Sequence, residues 1–134
     1  MILVDTSGWL ALANSNDRDH TSAREPEPEL ARGRFGKQVT TNRVLTETVT
    51  IRRRRLGLPS AVRFASAIEQ TREVQGCWIE PVRHREAVSP MASDADQRWS
   101  PTDRSSFVVM KALGIADAFA VDHAFVQAGF HVHP

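Results

Sequence analysis

A single cysteine, Cys77, stands in 134 residues. No internal disulfide can form, which excludes a disulfide-stapled secreted domain and points to a reducing, cytoplasmic setting. No apolar run approaches the length of a membrane span. The start has neither the basic residues nor the long apolar stretch of a secretion signal. Net charge is nearly absent as well: 17 basic residues against 16 acidic leave +1. That balance neither requires nor forbids a nucleic-acid partner. There is no internal repeat and no linker-like stretch, so residues 1–134 read as one domain. What is present is a hydrophobic fraction of 41%, enough at this length to fill a core without staples.

Ile2–Val4 reads as a short buried strand, with Thr6 or Ser7 capping a helix from about Gly8. Pro26 and Pro28 forbid one continuous helix through the next segment, although Pro28 can start a short one. Gln38–Thr41 is a second strand, and Thr41 or Asn42 caps the helix "RVLTETVTIRRRRLG". Its inward face carries Val44, Thr48, Ile51 and Arg55, and Glu47 leans the same way. Gly57 and Pro59 end it, and Ser60 caps another helix with Ala61, Phe64, Ala65 and Ile68 as its core stripe. "CWIEPV" reads as a third strand, followed by helix-like sequence that Pro90 interrupts. "RSSFVVMKALG" is a helix apolar nearly all round. "AFAVD" is a fourth strand, "HAFVQAG" a short helix and "FHVH" a last strand. Strands alternating with helices predict an α/β fold, a parallel sheet of four to five strands flanked by helices on both faces.

Ligands of an open parallel sheet bind at the carboxyl ends of its strands. Asp5 and Asp122 fall at such ends, Asp103 opens the apolar helix, and Glu47 leans inward from another. A lone aspartate after a strand is also an ordinary helix cap. Four carboxylates meeting at one rim would raise one another's pKa, and a divalent cation relieves that repulsion. Oxygen-only ligands suit Mg²⁺ or Mn²⁺.

The chain resembles the PIN-domain ribonucleases, and more narrowly the VapC-type toxins of bacterial toxin–antitoxin pairs. "ILVDTSGWLAL" is similar to the family's opening strand, and "TTNRVLTETVTIRRRRLG" to the segment holding its glutamate. "SPTDRSSFVVMKALGI" resembles its Ser-x-Thr-Asp-x-x-Ser stretch, and "AFAVDHAFVQAGF" its last acidic motif. The family's acidic positions fall on Asp5, Glu47, Asp103 and Asp122. The resemblance implies a Rossmann-like PIN fold and a Mg²⁺- or Mn²⁺-dependent endoribonuclease. Asp5, Asp103 and Asp122 would hold metal, Glu47 would orient metal and the attacking water, and Thr6 and Ser106 would give polar support. It also implies a VapB-like antitoxin and a homodimer. Two departures stand out: Pro26-Glu27-Pro28 breaks a segment where relatives carry a helix, and Pro101 sits beside Asp103, as Pro90 sits in another helix.

Arg52, Arg53, Arg54 and Arg55 form a block that suits RNA phosphates, an antitoxin's carboxylates, or merely the negative end of a helix dipole. Asp94, Asp96 and Asp117 read as surface charge, and His131 and His133 point one way from the last strand without further ligands. Trp9, Trp78 and Trp99 read as core or interface residues, and Cys77 as a buried, inert opening to its strand. Two other classes compete. A phosphoacceptor or phosphatase-type domain would also use an aspartate after strand one, but "DTSGW" lacks a second acidic residue and leaves Glu47 without a role. A non-catalytic RNA- or protein-binding module would not need all four carboxylates. RNA cleavage against phosphatase activity separates these classes.

Overall fold

The computed structural model describes residues 1–18 and 33–133. The expectations about Pro26, Glu27 and Pro28 lie outside the described residues. Ile2–Val4 forms β1, and all three side chains are fully buried. Each such side chain contributes about 1.5–3 kcal/mol, which makes β1 a fixed stem for the aspartate at its end. The chain then runs through α1 (Thr6–Arg18), β2 (Gln38–Thr41), α2 (Asn42–Leu56), α3 (Leu58–Gln70), β3 (Val74–Cys77) and α4 (Pro81–Val88). A 3₁₀ turn at Ser89–Ala92 precedes α5 (Pro101–Leu113), β4 (Asp117–Phe119), α6 (Ala124–Gln127) and β5 (His131–His133).

The five strands form one sheet in the order β3-β2-β1-β4-β5, and every pairing is parallel. The alternation of β1 sends Leu3 to one face and Ile2 and Val4 to the other. Leu3 joins Val39, Phe107, Met110, Ala118 and Phe125 in the core under α5 and α6. Ile2 and Val4 join Trp9, Val44, Phe64 and Phe119 under α1, α2 and α3. The predicted α/β architecture, helices on both faces of a parallel sheet, is what forms. The order in which strands are added reverses about β1: β2 and β3 lie to one side, β4 and β5 to the other. The crevice between the carboxyl ends of β1 and β4 is therefore the switch point where such sheets bind ligands.

Several boundaries differ from the sequence expectation. Strand β3 is Val74–Cys77, not "CWIEPV". It is an edge strand whose middle residues are exposed, so it lacks the apolar run that marks a central strand. Cys77 ends it, and Pro81 lies in the first turn of α4. Strand β4 stops at Phe119, opposite Val4, so Asp122 lies in the loop beyond it and Asp117 opens the strand. Helix α5 begins at Pro101, earlier than expected, and α1 begins at Thr6. Gly57, at φ 91°, separates α2 from α3, with Pro59 in the first turn of α3. Ser60 is buried inside α3 rather than capping it. Arg55 is exposed and off the core stripe, whose buried members on α2 are Val44 and Thr48. Pro90 does interrupt helix, lying in the 3₁₀ turn. Among the described residues no helix is long and apolar enough to cross a membrane.

Candidate active site

Asp5 leaves β1 and stands at the N-cap of α1. Its carbonyl accepts from Trp9 N–H (2.9 Å), and its Oδ2 accepts from Ser7 N–H (3.2 Å) and Ser7 Oγ–H (3.0 Å). Asp5, rather than Thr6 or Ser7, is thus the cap. Its own N–H donates to Phe119 O at 3.1 Å, which ties it to the end of β4. Ser7 Oγ also accepts from Val121 N–H at 3.0 Å. One hydroxyl therefore bridges the carboxylate and the loop that carries Asp122. Gly8 permits this closeness: a Cβ there would lie 2.4 Å from Phe119 O.

Asp5 is 3% exposed, and its Oδ1 is buried without a hydrogen-bond partner. Burial pushes its carboxyl up from 3.8 to about 6, the Ser7 and Thr6 hydrogen bonds pull it down, and the charge of Asp103 adds to the rise. Thr6 donates its hydroxyl to Glu47 Oε2 at 2.6 Å, which joins α1 to α2 and fixes one glutamate oxygen.

Asp103 is the third residue of α5 in a capping box. Ser100 Oγ accepts from Asp103 N–H (3.0 Å), and Asp103 Oδ2 accepts from Ser100 N–H (2.9 Å). Pro101 belongs in that first turn, where its missing N–H costs nothing, so it does not disturb Asp103. Burial raises the Asp103 pKa above the ordinary value, Ser100 lowers it, and the charges of Asp122 and Glu47 raise it further. Asp122 is exposed and accepts from Ala124 N–H at 2.9 Å, at the entry to α6. Ser106, one turn along α5 from Asp103, is fully buried with an unpartnered Oγ. The four acidic side chains thus share one rim and feel one another's charge through Asp103. Among the described residues they do not form a ready-made cluster of three metal ligands.

Other expectations change. Arg52 packs over the Phe64 ring at 4.8 Å and donates from Nε to Ser60 Oγ at 3.3 Å, which turns it toward α3. Arg53, Arg54 and Arg55 are exposed. Asp94 is no idle surface charge: it accepts from both Arg104 Nη atoms at 2.9 and 3.0 Å, and those bonds hold its carboxyl below the usual range. The Arg104 side chain is itself buried. Asp117 faces His133 Nε2 at 2.8 Å and His131 Nδ1 at 3.7 Å, at the rim opposite the carboxylates. Trp9 is core and Trp99 stacks edge-on against Phe107 at 5.3 Å, but Trp78 is 75% exposed. Sequence reading missed Ser7 and Ser100 as the groups that hold Asp5 and Asp103. Ser100 was legible as a capping box, Ser100 with Asp103 three residues on. The sequence marks Ser7 only as a candidate helix cap.

The five-stranded parallel sheet thus carries acidic side chains from β1, α2, α5 and the loop after β4 around its switch point. No family model matches the chain. The 23S rRNA-specific endonuclease VapC20, from two strains of Mycobacterium tuberculosis, is 35% identical over 130 residues, spanning 97% of this chain and 95% of the relative. The crystal structure of Mycobacterium tuberculosis VapC20, described as a sarcin–ricin loop cleaving toxin, superposes with a TM-score of 0.81 at 34% identity, over 97% of this chain and 96% of that one. The chain belongs to the VapC family of PIN-domain toxins, the endoribonucleases of toxin–antitoxin systems.

Proposed function

We propose that the acidic rim is a Mg²⁺- or Mn²⁺-dependent phosphodiesterase centre and that its substrate is a structured RNA, ribosomal RNA as for VapC20. The observation that carries this reading is Asp5 Oδ1, a buried carboxylate oxygen without a partner. A buried polar atom left unsatisfied costs about 1–3 kcal/mol, and a cation repays it. Mg²⁺ takes one or two protein carboxylates and fills its shell with water and phosphate oxygens, so Asp5 and Asp103 at one rim suit this ion.

Asp5 and Asp103 would hold the metal, with Asp122 beside them and Ser106 as polar support. When bound, the ion would lower the pKa of water and neutralise charge building on the phosphate. The protein's part is to fix oxygens. Ser7 and Ser100 each occupy one oxygen of Asp5 and Asp103, and so orient the other. Thr6 holds Glu47 by one oxygen, leaving the second to orient the attacking water. The antitoxin is proposed to be VapB-like and the toxin a homodimer. Leu58 and Val62, both more than half exposed on α3, offer apolar surface for either partner. Helix α5 offers less: Phe107, Val109 and Met110 are buried inside the chain, and Val108 and Leu113 partly so.

Sequencing RNA ends after brief induction tests the substrate and should give one dominant cut in ribosomal RNA. With purified protein, EDTA should abolish cleavage and Mg²⁺ or Mn²⁺ restore it. Undiminished cleavage in EDTA refutes the metal.

A further inference from the structure

An open groove of about 740 Å³ runs along α2 from the acidic rim. Asn42, Arg43, Thr46, Glu47, Thr50 and Arg54 line it from that helix, and Trp78 and Thr102 face them. These helix positions follow the three-to-four-residue spacing of a single stripe. Arg43 and Arg54 lie on either side of Glu47, about 16 Å apart along the axis. Arg43 is held in place by donating to His84 Nδ1 at 3.1 Å.

Trp78 is placed by the sheet. Cys77 pairs with Thr41, so the residues after them emerge together at the rim that also carries Asp5. Ile79 is buried, and its N–H donates to Asn42 Oδ1 at 2.7 Å. In extended chain the neighbouring side chain then points outward, and Trp78 is 75% exposed. The chain thus spends a buried, hydrogen-bonded anchor to hold an indole in solvent beside two cations and a carboxylate.

We propose that Trp78, Arg43 and Arg54 form a nucleotide subsite: Trp78 stacks an unpaired RNA base next to the cleaved bond, and the two arginines bind backbone phosphates on either side of Glu47. The subsite rests on the reading of the rim as an RNA-cleaving centre. The lining favours RNA over a protein partner. Its apolar members are Trp78 and Ile51, amid amide, hydroxyl and guanidinium groups, where a protein interface would place an apolar centre. A stacking ring beside cations is the arrangement that binds single strands.

The test measures binding in an Asp5→Asn background, which removes cleavage, with a fluorescein-labelled unpaired oligoribonucleotide. Trp78→Ala should weaken binding about 5- to 150-fold, and Trp78→Phe should keep most of it. An abasic residue scanned along the oligonucleotide should erase the Trp78→Ala difference at one position. Arg43→Gln and Arg54→Gln should each flatten the slope of log K against log salt by about 0.7. Lys111→Gln, outside the groove, should not. Equal binding by the Ala and Phe variants, or unchanged salt slopes, overturns the subsite while cleavage by the wild type keeps the rim. A changed mass in light scattering or weaker antitoxin binding by Trp78→Ala, with RNA affinity intact, assigns the groove to protein and overturns it too. A protein that neither binds nor cleaves RNA overturns both readings.

Discussion

Asp5→Asn should make the metal-free protein more stable while destroying its activity. The carboxyl of Asp5 titrates near 3.8 in the unfolded chain and at about 6 in the fold, chiefly because it is buried. Between those values the folded state holds the extra proton, so stability falls as pH rises from about 4 to 6 and stays low above. The rise corresponds to about 3 kcal/mol, the cost of keeping a charged Asp5 in place without a cation. Asparagine never carries that charge and can still accept from Ser7. In EDTA the variant should gain up to about 3 kcal/mol over wild type at pH 8 and little at pH 4. At an m-value of about 1–3 kcal/mol per molar, the urea midpoint should move up by as much as about 1–3 M. Adding Mg²⁺ should close most of that gap. Wild type gains about 2.7 kcal/mol when the ion is at a hundred times its Kd, and the variant gains far less. An Asn variant less stable than wild type at pH 8 in EDTA, or an equal advantage at both pH values, would refute the account of Asp5 as a strained, ion-seeking carboxylate.

Thr6→Val deletes the 2.6 Å hydrogen bond to Glu47. A bond to a charged group is worth about 1.5–3 kcal/mol, so cleavage should drop roughly 10- to 150-fold and Thr6→Ser should recover it; a Val variant at full rate sinks the positioning role. Gly8→Ala brings a Cβ to 2.4 Å from a backbone oxygen that cannot swing away. Despite alanine's better helix propensity it should cost about 1–3 kcal/mol, read as a lower melting temperature; a rise would show that α1 has slack against β4. Asp94→Asn leaves the buried guanidinium of Arg104 without its counter-charge, so the melting temperature should fall while cleavage survives at low temperature. An unchanged melt would make that pair ornamental.

The sequence and the fold agree best where burial is two-sided. Ile2–Val4 is apolar because both sheet faces cover it, and that run fixes where Asp5 emerges. Agreement fails at β3, where an edge strand buries Cys77 and only partly buries Val74, and the eye moves to the more apolar "WI" beyond it. Asp122 lies beyond a strand that ends sooner than the sequence suggests, but its loop stays at the same rim, within reach of the Asp103 charge. What could not be read was pairing between distant side chains. Asp94 and Arg104 meet because the segment before α5 folds back, and Asp117 meets His133 across two strands. Exposure of Trp78 was hidden for a related reason: an apolar letter does not say which neighbour is anchored inward.

The bond from Val121 N–H to Ser7 Oγ joins residues 114 apart in the chain. On the ribosome, at about 5–20 residues per second, that interval lasts on the order of 10 s. Until its last seconds β1 lacks β4, and Asp5 lacks the Phe119 carbonyl, Asp103 and Asp122 as neighbours. The acidic rim is therefore completed only near the end of translation. A chain stopped at Gly114 lacks β4 and Asp122 and should be inert toward RNA.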